Sequence, residues 1–370
     1  MTRAGPRATP PSLVRMRTLT VLLVLSACPR RPAPIEEAVP GGTEVFDEPA
    51  DGDEADRRAI EAAVLESYLD LSSGNDEAYA EALSRDLDVT VIGVGPDDVA
   101  FGTGLSADQV PTLPFRDVEP CTGPSRSLER PLVLSRDLEV VLHGKEGERS
   151  VAWVSDEISY RIPWHCRQAI VPLRLTALFV RNLERWDEVL LHVSYGIAGD
   201  ELRELAASRA LETPRAIERA FSVGPSVKVR GVVATSLAAD EQPRQLVIDD
   251  AVGSIAILPG AHDVFRDQAA RSAPWIVSAI GDVGHAELDG YRISVSTDQL
   301  VAWVAANVRV TSRVGDTPVT VLMRGTFVLE RSGPRGGEPA GWRVVQRHIS
   351  VPVARADLGF RVFGEEAGGR

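Results

Sequence analysis

The sequence predicts an α+β protein built twice in tandem, and three observations predict it. Val151-Ala152-Trp153-Val154 returns 150 residues on (301 − 151) as Val301-Ala302-Trp303-Val304, and Arg174, Thr176 and Arg181 return at the same spacing as Arg324, Thr326 and Arg331. Further along, Trp186, His192 and Ser194 return as Trp342, His348 and Ser350 at a spacing of 156 (342 − 186), stretched by the run 332–339, whose composition can only be turn. Helical spacing followed by strand alternation completes the pattern. A register kept across two strands and broken only at a loop marks a duplicated domain.

The totals agree. The 370 residues, 44% hydrophobic and 25% charged, have room for two ordinary domains and need no membrane span. All but Lys145 and Lys228 of the 40 basic residues are arginine, which reads as the codon bias of a GC-rich bacterium. A net charge of −13 repels phosphate backbones, so no nucleic-acid partner is expected.

At the N-terminus, Arg15 and Arg17 precede an apolar run, Leu19 to Ala27, too short to span a bilayer but right for a signal-peptide core. It ends in Leu25-Ser26-Ala27-Cys28, which resembles the bacterial lipobox, whose cysteine becomes a lipid-modified N-terminus. The competing reading is an ordinary signal peptide that carries a cysteine. Either way residues 1–27 form a leader, started at Met1 or Met16, and the protein is exported. Lipidation at Cys28 would tether it to the cell envelope, at the outer membrane or the periplasmic face. Residues 28–54 are rich in proline and acids and read as a disordered tether.

The first copy is expected over 55–198. Ile60, Val64, Ser67 and Leu71 repeat at helical spacing until Gly74, and a second helix covers Asp76 to Leu83. Strands follow over Asp88 to Val94, Leu132 to His143, Arg149 to Ile162, Ala169 to Arg181 and Trp186 to Ile197. The turn Gly95-Pro96-Asp97-Asp98-Val99 is echoed by Gly260-Ala261-His262-Asp263-Val264, so the repeat begins upstream of the tryptophans. The second copy is expected over 199–355. It opens on a helix from Glu201 to Phe221, then Val227, Val229, Val232 and Val233, which look more like strand. Strands resume over Ser254 to Leu258, Ile276 to Gly281, Tyr291 to Arg313, Thr317 to Glu330 and Trp342 to Val353, before a flexible tail over 356–370.

Helices, a strand ending in the turn, and long strands carrying Ala-Trp-Val, Arg-x-Thr and Trp-x(5)-His-x-Ser resemble the SnoaL-like branch of the nuclear-transport-factor-two-like superfamily. The residues that carry the resemblance are Trp153, Arg174, Thr176, Trp186, His192 and Ser194, and again Trp303, Arg324, Thr326, Trp342, His348 and Ser350. The resemblance implies two tandem cone-shaped α+β rolls, each a bent antiparallel sheet wrapped around its N-terminal helices. Relatives of this kind cyclise polyketides, isomerise steroids or only bind proteins, so the fold does not choose a function. Single-copy relatives commonly dimerise through the outer sheet face, which implies that the copies pair within one chain and leave a monomer.

Few residues are candidates for chemistry. Alternation puts Ala152, Val154, Asp156, Ile158, Tyr160 and Ile162 on one face of their strand, where Asp156 would be a carboxylate raised by burial with Tyr160 two pleats away. An isomerase or cyclase could use such a base, but the second copy has Ala306 there and a structural acid is the commoner explanation. His192 and His348 share a face with Ser194 and Ser350, yet i, i+2 neighbours align poorly as nucleophile and base. Each is expected to hydrogen-bond within the sheet or line the cavity. Arg174 and Arg324 could hold a carboxylate, or be solvated or paired arginines. Trp153 and Trp303 stand on the more polar side of their strands, covered by the other copy or by local loops. No metal and no cofactor is expected, because the remaining histidines lack ligand spacing. Cys121 and Cys166, the two cysteines of the exported body, are expected to form a disulfide. The function these readings favour is non-catalytic binding of a small apolar or acidic ligand or a protein.

Overall fold

The structure is a computed structural model, and it describes residues 52–116, 130–143, 150–164, 167–183, 185–218, 225–238, 254–272, 280, 282–332 and 341–363. The leader, Cys28, Cys121 and Cys166 lie outside the described residues. The first copy runs α1 (Gly52–Ser73), α2 (Asp76–Ala82), β1 (Val89–Ile92), β2 (Val99–Gly102), β3 (Leu132–Ser135), β4 (Glu139–His143), β5 (Val151–Trp164), β6 (Arg167–Asn182) and β7 (Arg185–Tyr195). After α3 (Gly199–Ser208) and α4 (Pro225–Ala238) come β8 (Ile255–Ile257), β9 (Val264–Arg266), α5 (Asp267–Ser272), β10 (Asp282–Val295), β11 (Val301–Val314), β12 (Thr317–Ser332), β13 (Gly341–Ser350) and α6 (Arg355–Phe363).

The two copies have the same sheet. The first is ordered β2-β1-β7-β6-β5-β3 with β4 also on β5, the second β9-β8-β13-β12-β11-β10. In each, one short strand lies parallel to the last long strand, Ile92 opposite His192 and Ile257 opposite His348. Even the irregularity is duplicated: a bulge between Leu178 and Phe179 recurs between Val328 and Leu329. An extra residue there bends the strand and sharpens its twist, which curls each sheet into a roll. Helix α1 packs on β3, β4 and β7, and α4 on β10 and β13.

The other sheet faces meet. Val151, Trp153, Leu178, Val189 and Leu190 of the first copy form one apolar cluster with Val301, Trp303, Val328 and Val345 of the second. Both tryptophans are therefore covered, and what covers them is the opposite sheet. Burying one indole removes an apolar area worth roughly 2 to 3 kcal/mol from water.

Several elements differ from the sequence reading, each for a local reason. Helix α1 starts at Gly52, inside the expected tether, with Asp53 and Glu54 in its first turn complementing the helix dipole. The expected Leu132 to His143 strand is broken into β3 and β4 because the Asp137 amide turns aside to the Asp156 carboxylate, while the Arg136 amide stays on the Glu157 carbonyl. The helix from Glu201 stops at Ser208, where Arg209 takes a left-handed conformation (φ 56°) and returns its N–H to Ala206. The valine-rich stretch is helix α4, not strand. Its buried Val229, Val233, Ser236 and Leu237 lie 165 residues beyond the buried Val64, Tyr68, Leu71 and Ser72 of α1 (229 − 64), so packing overrides the β preference of valine. Tyr291 to Arg313 is a hairpin, turned at Ser296–Leu300 by Asp298, whose Oδ1 accepts from the Ser296 hydroxyl at 2.5 Å and the Leu300 amide at 2.9 Å. The C-terminal stretch expected to be flexible carries α6, with Leu358 fully buried.

Candidate functional site

Inside the first roll, four polar side chains share an apolar interior. Asp156 Oδ1 accepts the Arg136 and Asp137 amides at 3.2 and 2.9 Å, and Oδ2 accepts the Tyr68 hydroxyl of α1 at 3.0 Å. Tyr79 of α2 points its hydroxyl at Glu188 Oε1 of β7, 3.5 Å away. Burial pushes the Glu188 carboxyl up to about 8, opposed only by that phenol, so at neutral pH it is mostly a neutral acid. Burial also drives both phenols well above their usual range, reinforced by Asp156 and Glu188 at Tyr68 and by Glu188 at Tyr79. They act as donors. Tyr160 is fully buried in the same core.

Among the described residues, the second roll lacks these groups at the equivalent positions. At the spacings already established, Tyr68, Asp156, Tyr160 and Glu188 correspond to Val233, Ala306, Val310 and Val344, all buried and apolar. Sequence reasoning found Asp156 and Tyr160 but missed Tyr68, Tyr79 and Glu188. The signal was present, since a glutamate facing a valine at the 156-residue spacing marks a position where only one copy keeps a charge. Three donors already occupy the Asp156 carboxylate, whereas Glu188 faces one, the Tyr79 hydroxyl.

The six side chains expected to bind a ligand face the other copy instead. Trp153 and Trp303 lie in the cluster between the sheets. The His192 and His348 rings stack with centroids 3.7 Å apart and planes 15° off parallel. His192 Nδ1 lies 3.0 Å from Thr326 Oγ1 and Nε2 2.8 Å from Ser350 Oγ. Reciprocally, His348 Nδ1 lies 3.0 Å from Thr176 Oγ1 and Nε2 2.7 Å from Ser194 Oγ. The histidine bonds thus run between the copies and not within one sheet, and neither ring lines a cavity.

The arginines are exchanged in the same way. Arg174 donates through Nη1 to the carbonyls of Leu258 and Gly260, both at 2.6 Å, and through Nη2 to Ser194 Oγ at 3.3 Å. Arg324 donates to the carbonyl of Pro96 in the first copy. Each arginine therefore grips the Gly-x-x-Asp turn of the opposite copy, where an aspartate caps the glycine amide: Gly95 to Asp98 at 2.7 Å, Gly260 to Asp263 at 3.1 Å. A Cβ on Gly260 would stand 2.0 Å from Asp263 Oδ2, so a side chain there would displace the carboxylate that caps the turn. Burial lowers both guanidinium groups to about 10, countered chiefly by Asp263 at Arg174 and by Asp98 at Arg324.

Open space lies beside the first of these turns. A cleft of about 650 Å³ is lined by Asp97, Asp98 and Phe101 of the first copy, by Arg215 and Glu218 of the segment after α3, and by Arg292 of β10. Arg292 lies over the Phe101 ring and pairs with Asp88 at 2.9 Å. Burial raises the Asp98 carboxyl, against the pull of the Gly95 amide and Arg324. Among the described residues, no three His, Cys, Asp or Glu side chains are grouped to hold a metal ion, and no helix is long and apolar enough to cross a membrane.

Residues 244–354 match the family of SnoaL-like domains. Comparison with curated proteins gives no match. Among solved structures, the chain is similar to an NTF2-like protein with a cystatin-like fold from Novosphingobium aromaticivorans, at 15% identity over 38% of this chain and 82% of that one, with a TM-score of 0.29. It is also similar to a protein of unknown function from Mycobacterium tuberculosis, at 15% identity over 42% and 80% of the chains and a TM-score of 0.31. A third likeness is to the association domain of CaMKII from C. elegans, at 14% identity over 38% and 95%, with a TM-score of 0.27.

Proposed function

We propose, from a second copy that matches the SnoaL-like family, that this chain is a non-catalytic binding protein with two such domains, held at the bacterial cell envelope by a lipid on Cys28. The observation that carries the reading is the cleft of about 650 Å³ where the first copy, the segment after α3 and β10 meet. Its volume is that of a small-molecule site, and junctions between domains favour such sites. Asp97, Asp98, Asp108 and Glu218 outweigh Arg215 and an Arg292 already paired to Asp88. That balance favours a small organic ligand with a cationic group over an acidic one.

The second reading, an isomerase or cyclase with Asp156 as base, is favoured by one observation: among the described residues, paired acid and phenol groups are gathered in the first roll. One experiment separates the two. The purified protein is incubated with metabolite extract, and native mass spectrometry identifies what stays bound. Binding in the cleft predicts a retained small molecule that Arg215→Glu alters and Asp156→Asn leaves in place. Retention that depends on Asp156 and ignores Arg215 favours the enzyme, and no retained molecule counts against the cleft.

A further inference from the structure

We infer that the stacked pair His192 and His348 is a proton-sensitive latch between the two copies, closed while both rings are neutral and released when one is charged. Both rings are fully buried. All four ring nitrogens are met by hydroxyl groups of the opposite copy, so every ring hydrogen bond crosses the seam. A hydroxyl both donates and accepts, which suits a neutral imidazole with one N–H and one bare nitrogen. Protonation makes both nitrogens donors and puts a positive charge where, among the described residues, the ring nitrogens meet hydroxyl groups and not a carboxylate.

The charged groups acting on the rings are of one sign. His192 feels Arg324 and Arg174, and His348 feels His192 and Arg174. The neighbouring acids, Glu157 and Asp263 near Arg174 and Asp97 and Asp98 near Arg324, act on the guanidinium groups. Within their own sheets the rings are flanked by Ile92 and Ile257, and by Thr176 and Thr326, which bond to the opposite ring. Burial first, then these cations, hold both rings well below the ordinary imidazole range. At the rim of the seam, His143 lies 3.3 Å from Glu330 and gains a partner when protonated, which works against release.

Release would act on the seam and not on the rolls. The bonds lost run between copies, whereas each sheet keeps its own ladder. Parting the sheets uncovers Trp153 and Trp303. The latch is independent of what the cleft binds.

The test is an acid titration of the full chain, from about pH 7.5 to about pH 4, read by tryptophan emission and far-ultraviolet circular dichroism. The expected result is a red shift of emission at a pH where the dichroism is unchanged, absent from the Trp153→Phe, Trp303→Phe protein. In the His192→Gln, His348→Gln protein the shift should vanish or move to lower pH. Emission that changes only together with the dichroism, or an unaltered midpoint in the double glutamine protein, overturns the latch. Should that variant not fold, imidazole NMR of the wild type decides: the two seam rings must titrate at the emission midpoint, and rings that stay neutral through it overturn the proposal.

Discussion

His348 Nε2 lies 2.7 Å from Ser194 Oγ while His192 Nε2 lies 2.8 Å from Ser350 Oγ, so each copy's histidine is held by the other copy's serine. Reciprocity makes the pair act as one group in stability. Both rings have folded pKa values below the unfolded one, so the unfolded chain takes up protons first as pH falls. Their contribution is full above about pH 6.5 and declines below it by about 1.4 kcal/mol per pH unit for each ring still neutral in the fold. Urea midpoints of wild type and the double glutamine protein, compared at several pH values, should show this loss in the wild type alone.

Glu188 works in the opposite direction. Its folded pKa is raised to about 8, so its contribution is full below the unfolded value near 4.5 and is lost as pH rises towards 8. Glu188→Gln should therefore be more stable than wild type at pH 8 by a few kcal/mol, with the difference shrinking towards pH 5. A difference that does not depend on pH would refute the buried-acid account.

Asp156→Ala leaves the Asp137 amide and the Tyr68 hydroxyl without their acceptor inside the roll, while the Arg136 amide keeps the Glu157 carbonyl at 2.9 Å. The expected loss is about 3 kcal/mol or more, measured by denaturant unfolding. Amide exchange at Asp137 should accelerate in the same variant. Unchanged exchange would mean that Asp156 does not hold the break between β3 and β4.

Arg174→Lys keeps the charge and loses the fork. An ammonium cannot reproduce the reach to Leu258, Gly260 and Ser194 together. A destabilisation of about 2 kcal/mol is expected, and Arg324→Lys should behave alike because it serves the equivalent turn. If lysine at both positions matched wild type, the grip on the turns would be incidental.

Cys28→Ala tests the anchor. Lipidated protein should sediment with the membrane fraction, and the alanine variant should appear in the soluble fraction of the envelope. A variant that stays membrane-bound as firmly as wild type would remove the lipid from the account.

What the sequence made legible was largely the seam. Trp153, Arg174, Thr176, His192 and Ser194 stand out because their counterparts match, and they match at positions that meet the other copy. Most of the long strands were readable from alternation, although β10 and β11 were run together as one, and the second helix was placed to within a residue. The purpose of the matching residues was not readable: one copy's sequence says which face a histidine takes, not that another sheet lies against it. The pairing of Glu188 with Tyr79 was hidden because they sit over a hundred positions apart and meet only after the roll closes. Helix α4 was misread because its valines carry a strand preference that burial against β10 and β13 overrules.

The exchange of arginines between turns also governs how the two copies can change over time. A substitution in the Gly95–Asp98 turn is felt by Arg324, and one at Gly260–Asp263 by Arg174, so a change at the seam of one copy reaches the other. The interiors carry no such obligation, and there Tyr68, Asp156 and Glu188 face Val233, Ala306 and Val344. The two halves thus differ inwardly, while the seam they share keeps both answerable to each other.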